Sequence, residues 1–229
     1  MTTQKWKVKC VIYDCDGVLF DSLEANGRLY NDLCASAGRG PLEEDEINYV
    51  HCHTVYQAIH HIFGMDSDLE KKGLELLKQV DLKKYIVYLK MEPHLLETLS
   101  ALKERGILRA ISTNRTTSMP HIMDRFDLGP YFDQVVTALD VKNPKPHPES
   151  LEKIMKAFTL NREETVFVGD SEVDQQTAES ADVKFVAYKN RELPNDAFIE
   201  DHLDLLGLLK FAPLTLSPER LCHNGEMQK

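Results

Sequence analysis

Asp14 and Asp16 stand two residues apart at the end of an apolar run, Val8 to Tyr13, and Gly17 follows at once. Such a run reads as a buried strand. Folding asks for no carboxylate at a strand end, and an unpaired buried carboxylate is costly. Two in close company call for a cation or for an unusual sharing of protons. The plain alternative is a turn, since Asp and Gly are common turn residues.

Three more apolar strands end in residues of the same kind. Residues 107–111 run into Ser112-Thr113-Asn114. Residues 134–137 are followed by Lys142 and then Lys145-Pro146-His147-Pro148-Glu149. Residues 165–168 run into Gly169-Asp170-Ser171-Glu172-Val173-Asp174. In an open parallel sheet, ligands bind beyond the carboxyl ends of the strands. Two acids, a hydroxyl, an amine and two more acids would then meet on one edge. That set fits phosphoryl transfer assisted by Mg²⁺, a hard cation that takes oxygens from a few carboxylates, water and phosphate. Each residue also has an ordinary reading: Thr113 as a helix cap, Lys145 as an exposed lysine in competition with Lys142, and Asp174 as charge in the first turn of a helix. The prolines beside Lys145 fix its backbone and favour it over Lys142.

The elements that must hold these residues can be read from periodicity. From Ser22 to Ala37 the apolar spacing is helical, and Gly38 is a stop. Ile47 to Ile62 suggests a second amphipathic helix ending near Gly64, and Leu69 to Leu89 more helix interrupted near Asp81. After Pro93 the grammar changes to alternating helix and strand. Helices are expected at Leu95–Leu102, Met119–Phe126, from Pro148 to Phe158, at Val173–Ser180 and at Asp201–Leu209. Strands are expected at 107–111, 134–137, 165–168 and 183–188. This alternation implies a parallel sheet covered on both faces. The expected fold is therefore α/β: a Rossmann-like, doubly wound parallel sheet core with an inserted all-helical cap domain. The core comprises 1–21 and 92–212, the cap 22–91, and 213–229 is a polar C-terminal tail. The insertion leaves near Asp21 and returns near Met91, so the two crossings should form a two-stranded hinge.

Composition narrows the partners. Of 229 residues, 27 are Lys or Arg and 37 are Asp or Glu, giving a net charge of −10. A general nucleic-acid or membrane surface would want a basic face. Five scattered cysteines without a CxxC pair suggest reduced thiols and a cytoplasmic setting. No stretch has the length of a signal peptide or a membrane span. The expected partner is a small phosphorylated metabolite, with no nucleic acid and no membrane, and the chain acting as a monomer or homodimer.

Four motifs occur in a fixed order: Asp14-x-Asp16-Gly17-Val18-Leu19, Thr113-Asn114, Lys145-Pro146, and Gly169-Asp170-x-x-x-Asp174. In this the chain resembles the haloacid dehalogenase-like hydrolases, specifically the phosphoglycolate phosphatase and β-phosphoglucomutase-like group with a helical cap. The resemblance implies a phosphatase acting through an aspartyl-phosphate. It implies Asp14 as nucleophile and Asp16 as general acid and base, a role that needs a raised pKa or a shared proton. It implies Mg²⁺ held by Asp14, the backbone carbonyl of Asp16 and Asp170, with Asp174 steering bound water. Thr113, Asn114 and Lys145 would bind the phosphoryl group, Lys145 by its charge.

The cap would close over the site and meet the leaving group. Candidate contacts are Asn26, Arg28, Arg39, and His51 or His53. His51, His53, His60 and His61 do not complete a structural zinc site, because His51 and His53 point in different directions on a helix and no further ligands join them. Rival readings are a dehalogenase, which would not need Asp16; a phosphonatase-like enzyme, which would carry a cap lysine instead of the second Asp; and a β-phosphoglucomutase-like mutase, which would place a histidine in the early cap near Asn26. A non-catalytic binding module on the same fold would have lost Asp14 or Asp16, and both are present.

Overall fold

The computed structural model describes residues 5–52, 55–64 and 67–211. The sheet is organised around β1 (Cys10–Tyr13), every residue of which is buried. Its order is β5-β4-β1-β6-β7-β8, with β4 (Leu108–Ser112), β5 (Gln134–Val136), β6 (Thr165–Gly169), β7 (Lys184–Tyr188) and β8 (Ala197–Ile199). All neighbours are parallel. Tyr13 is in register with Ile111 on one side and Val168 on the other. Asp14, Thr113 and Asp170 therefore leave three adjacent strands at one edge.

The period-2 alternation of strands divides the core into two layers. Val11 and Tyr13 face a layer with Leu95, Leu99 and Leu102 of α5 (Leu95–Glu104), Ile122 of α6 (Met119–Arg125) and Leu205 of α9 (His202–Leu208). Cys10 and Ile12 face the other, with Leu151 and Ile154 of α7 (Glu149–Phe158) and Ala178 and Ala181 of α8 (Glu172–Ala181). This is the doubly wound α/β arrangement expected from the sequence.

Between β1 and α5 the chain is helical: α1 (Leu23–Ala37), α2 (Glu44–Cys52), α3 (Val55–Phe63), α4 (Ser67–Gln79) and a 3₁₀ segment, Leu82–Tyr88. These helices have a core of their own, built from Tyr30, Leu33, Cys34, Val50, Ile59 and Phe63 among others. Gly38 ends α1 with φ +86°, and Asp81 caps the 3₁₀ segment by accepting from Lys83 N. The helix expected over Ile47–Ile62 is described as α2 and α3, which lie on either side of 53–54, two positions outside the described residues. Strands β2 (Phe20–Asp21) and β3 (Lys90–Met91) pair antiparallel where this segment leaves and returns. Strand β8 had no sequence signal, being three residues at the sheet edge. The expected tail, 213–229, lies outside the described residues.

His202 ties the last helix to the loop after β1. Its Nε2 lies 2.8 Å from the Val18 carbonyl, to which it donates, and its ring stacks on Tyr188 at 4.6 Å. Among the described residues its buried Nδ1 meets no partner, so the ring is neutral in this setting. Burial pulls the His202 pKa below its ordinary value, against the Val18 carbonyl, which pulls it up. A depressed histidine contributes stability that is complete above its unfolded pKa of about 6.5 and is lost as pH falls below it. Urea midpoints measured between pH 7.5 and 5 should fall more for the wild type than for His202→Gln, whose amide cannot take up the proton.

Candidate active site

Strand β1 delivers Asp14, and the chain then turns back on itself. Leu19 N and Phe20 N both donate to the Cys15 carbonyl, at 3.0 and 3.2 Å, and Gly17 N donates to Phe20 O at 2.8 Å. The turn needs Gly17 for two reasons. Its φ is +72°, a region disfavoured for residues with a Cβ, and a Cβ there would run into the Asp170 carboxylate. The two loops that carry acids thus press directly on each other.

Lys145 lies in the loop beyond β5 and is almost wholly buried, its side chain 4% exposed. Its ammonium donates to Asp14 Oδ1 at 2.7 Å and to Asp174 Oδ1 at 2.6 Å. Asn114 holds the Lys145 backbone from both sides: Nδ2 donates to the Lys145 carbonyl and Oδ1 accepts from Lys145 N, each at 3.0 Å. Its amide is therefore engaged in setting the lysine. Lys142 stays exposed, with its N–H on Glu149. Asp174 is fully buried as the third residue of α8, in a capping box with Ser171. Its Oδ2 accepts from Ser171 Oγ at 2.7 Å and from the N–H groups of Asp170 and Ser171. The helix-terminus reading of Asp174 and its place in the site are both realised.

Oxygens of Asp14, Asp170 and Asp174 lie within 4.8 Å of one another. Burial first, then the charge of Asp174, pushes the Asp14 carboxyl up to about 7 against the pull of Lys145. Burial and the same neighbours raise Asp170. Burial works against the Lys145 ammonium, yet Asp14 and Asp174 outweigh it and hold it charged, above the ordinary lysine range. One ammonium among three carboxylates leaves a deficit of positive charge. The donor set is all oxygen, which suits a hard divalent cation. Asp14, Asp170 and Asp174 together fit as its carboxylate donors, since a carboxylate oxygen that accepts one hydrogen bond keeps a lone pair.

Asp16 sits apart from this cluster. Arg115 grips it with a bidentate fork, Nε to Oδ2 at 2.7 Å and Nη2 to Oδ1 at 2.6 Å. Burial pushes the Asp16 carboxyl up, but the charge and hydrogen bonds of Arg115, with help from Ser22 and His51, bring it below its ordinary value. From the sequence, Asp16 needed a raised pKa or a shared proton; the structure raises Asp14 and lowers Asp16, because Arg115 compensates only Asp16. Arg115 and Ser22 were not anticipated. The imbalance of four acids against one lysine was the available signal for a second cation nearby.

Thr113 is buried, and its Oγ1 accepts from Arg115 N at 3.1 Å. It does not cap α6, whose first residue is Met119 after Ser118. From the helical segment, Asn26 and His51 meet near Asp16, with Asn26 Nδ2 3.3 Å from His51 Nδ1. Arg28 is engaged elsewhere, with Glu24 and over the Tyr88 ring, and Arg39 pairs with Glu46. His53 lies outside the described residues. His60 pairs with Glu70, and His61 stacks on Tyr49. Asp14, Asp170 and Asp174 are the metal-competent cluster among the described residues.

The family model for haloacid dehalogenase-like hydrolases matches residues 11–188. A solved Geobacter sulfurreducens hydrolase of the superfamily, subfamily IA, superposes with a TM-score of 0.75 at 37% identity, covering 92% of this chain and 100% of that one. A Rhodobacter capsulatus phosphoglycolate phosphatase is 29% identical over 82% of this chain and 88% of its own. A Caldanaerobacter subterraneus protein named for the pyrophosphatase PpaX is 36% identical, but the match spans 54% of this chain and 60% of that protein. The chain belongs to the haloacid dehalogenase-like hydrolases. Within them it groups with the phosphatases of the phosphoglycolate phosphatase-like type.

Two substitutions probe the geometry. Lys145→Met leaves Asp14 and Asp174 buried without their cation, and breaking such a pair costs about 3–5 kcal/mol; urea unfolding in divalent-free buffer should show a loss of that order. Gly17→Ala displaces the Asp170 carboxylate, a side-chain end that can give way. The protein should remain folded by circular dichroism while divalent-dependent activity falls on the order of a hundredfold or more, given about 1–2 kcal/mol of backbone strain in addition to the displaced ligand.

Proposed function

We propose that the protein is a Mg²⁺-dependent phosphatase that hydrolyses a small phosphorylated metabolite through an aspartyl-phosphate on Asp14. The observation that carries this reading is the separation of two neighbouring acids into different surroundings. Asp14 lies against Lys145 within the carboxylate cluster, and Asp16 lies against Arg115 outside it. A divalent cation beside Asp14 would draw its raised carboxyl into the ionised form that a nucleophile needs, while Arg115 keeps the Asp16 carboxyl apart from that cation.

Lys145 engages one Asp14 oxygen, leaving Oδ2 to attack phosphorus. The new Oδ2–P bond forms as the bond from phosphorus to the leaving oxygen breaks, and Asp16 gives that oxygen its proton. Water then attacks the aspartyl-phosphate, Asp16 takes back the proton, and the Oδ2–P bond breaks to release phosphate. The arriving phosphoryl group brings negative charge beside Asp16, which favours its protonated form against Arg115. Lys145 and the Thr113 hydroxyl donate to the phosphoryl oxygens, where negative charge is concentrated in the transition state. Asp14 and Asp170, with the Asp16 carbonyl, would hold a divalent cation, which would supply charge neutralisation for the phosphoryl group and the nucleophile.

Residues 22–91 act as a cap that hinges on the β2–β3 pair and brings Asn26 and His51 to the leaving group. Three buried free thiols, Cys10, Cys15 and Cys34, support a cytoplasmic setting. Among the described residues no helix is long and apolar enough to cross a membrane.

Asp14→Asn should abolish Mg²⁺-dependent phosphate release from an aryl phosphate, by about a thousandfold or more, since it removes the nucleophile itself. A wild-type rate in that variant would sink the mechanism.

A further inference from the structure

Glu92 is a buried carboxylate that the reaction at Asp14 does not use. It stands where the helical segment re-enters the core, directly after β3, and its side chain is 6% exposed. The Tyr188 hydroxyl donates to its Oε2 at 2.9 Å, and the Lys189 ammonium donates to the same oxygen. Its backbone N–H donates to the Leu19 carbonyl at 3.0 Å, which continues the β2–β3 pairing into the loop that carries Asp16. An apolar side chain would suffice to anchor the crossing, since a buried ion pair gains little stability over a hydrophobic residue of similar volume. What hydrogen bonds to a charge add is direction: they hold only one geometry.

The chain beyond Glu92's partners leads to the site. Lys189 has φ +55°, a left-handed turn disfavoured for residues with a Cβ, and its N–H donates to the Ile199 carbonyl of β8 at 2.9 Å. Such a turn persists where its surroundings fix it from several sides. Asn190 follows. Its Nδ2 donates to the Asp170 carbonyl at 2.9 Å, and its Oδ1 accepts from Glu192 N. Asp170 has little slack, because its carboxylate fills the space where a Cβ on Gly17 would be. Glu92, Lys189, Asn190 and Asp170 thus form a continuous path from the return crossing to a carboxylate of the metal-competent cluster. The outgoing crossing reaches the site more directly, through the hydrogen bond between Ser22 and Asp16.

We propose that Glu92 and Asn190 are positioning residues: through Lys189 they couple the return crossing of the helical segment to the Asp170 loop. Cation binding at Asp170 then stiffens the β2–β3 hinge, and a loosened hinge weakens cation binding. The two effects must be equal, because a coupling free energy acts reciprocally. The inference takes its divalent site from the reading above and adds a second, distant place that responds to it. The identity of the leaving group plays no part.

The test reads binding and backbone motion with no substrate present. Mn²⁺ is titrated into the full chain and followed by its electron paramagnetic resonance signal. Asn190→Ala removes a hydrogen bond behind a cation ligand and should weaken Mn²⁺ binding about tenfold. Glu92→Gln keeps the shape and loses the charge, and should weaken it about threefold, within the range for residues that transmit coupling. The double variant should bind no more weakly than Asn190→Ala alone, since both changes act along one path; additive losses overturn the proposal. Hydrogen exchange supplies the second readout. Mg²⁺ should slow exchange at Glu92 and in β2 and β3 by about the same threefold in the wild type and in Lys189→Arg, which keeps the charge. In Glu92→Gln and in Lys189→Met that response should vanish. Lys189 is exposed, so its two variants give the answer even where Glu92→Gln fails to fold. Hinge amides that ignore Mg²⁺ in a wild type that binds Mn²⁺ overturn the coupling and spare the phosphatase reading. Absence of Mn²⁺ binding by the wild type overturns both.

Discussion

Three carboxylates held within 4.8 Å of one another around a single buried ammonium set the terms for the rest of the molecule. Like charges at that spacing repel strongly once water is excluded. Lys145 relieves part of the strain, and Asn114 exists to keep Lys145 there, spending its whole amide on the lysine's backbone. Asp174 relieves another part by accepting from the start of α8, where the helix dipole favours a carboxylate. What is left over is a demand for positive charge at Asp14 and Asp170.

Asp16 escapes that crowd because Arg115 removes it. Two acids separated by one residue would otherwise compete for the same protons. The chain leaves its extended path in the turn that follows Asp14, and from that turn Asp16 reaches Arg115 beyond β4. Asp16 and Arg115 stand where the core meets Ser22 and the helical segment with Asn26 and His51.

The supporting structure is rigid where this chemistry needs it. β1 is buried on both faces, the Val18 carbonyl in the following loop is held by His202 from the last helix, and Asn190 donates to the Asp170 carbonyl from the loop after β7. Each of these loops is thereby tied to an element distant in sequence. Glu92, just past β3, is held by Tyr188 and Lys189, so the return crossing is anchored to the sheet as well.

The sequence by itself determined the edge. In a parallel sheet all strands end on the same side, so a residue's place one step beyond an apolar run already assigns Asp14, Thr113 and Asp170 to one locus, and the loop motif adds Lys145. The helix ends at Gly38 and the break at Asp81 were legible for the same reason: they depend on local backbone chemistry. Partnerships were not legible. That Arg115 takes Asp16 across 99 residues, that Asn114 grips the lysine's backbone, and that Asn26 meets His51 follow from side-chain reach across packed elements. The three-residue β8 belongs with them, since tertiary packing at the sheet edge fixes it. Only the tertiary structure could decide which of two adjacent aspartates is crowded and which is compensated, because a pKa depends on distance through space and the sequence records distance along the chain.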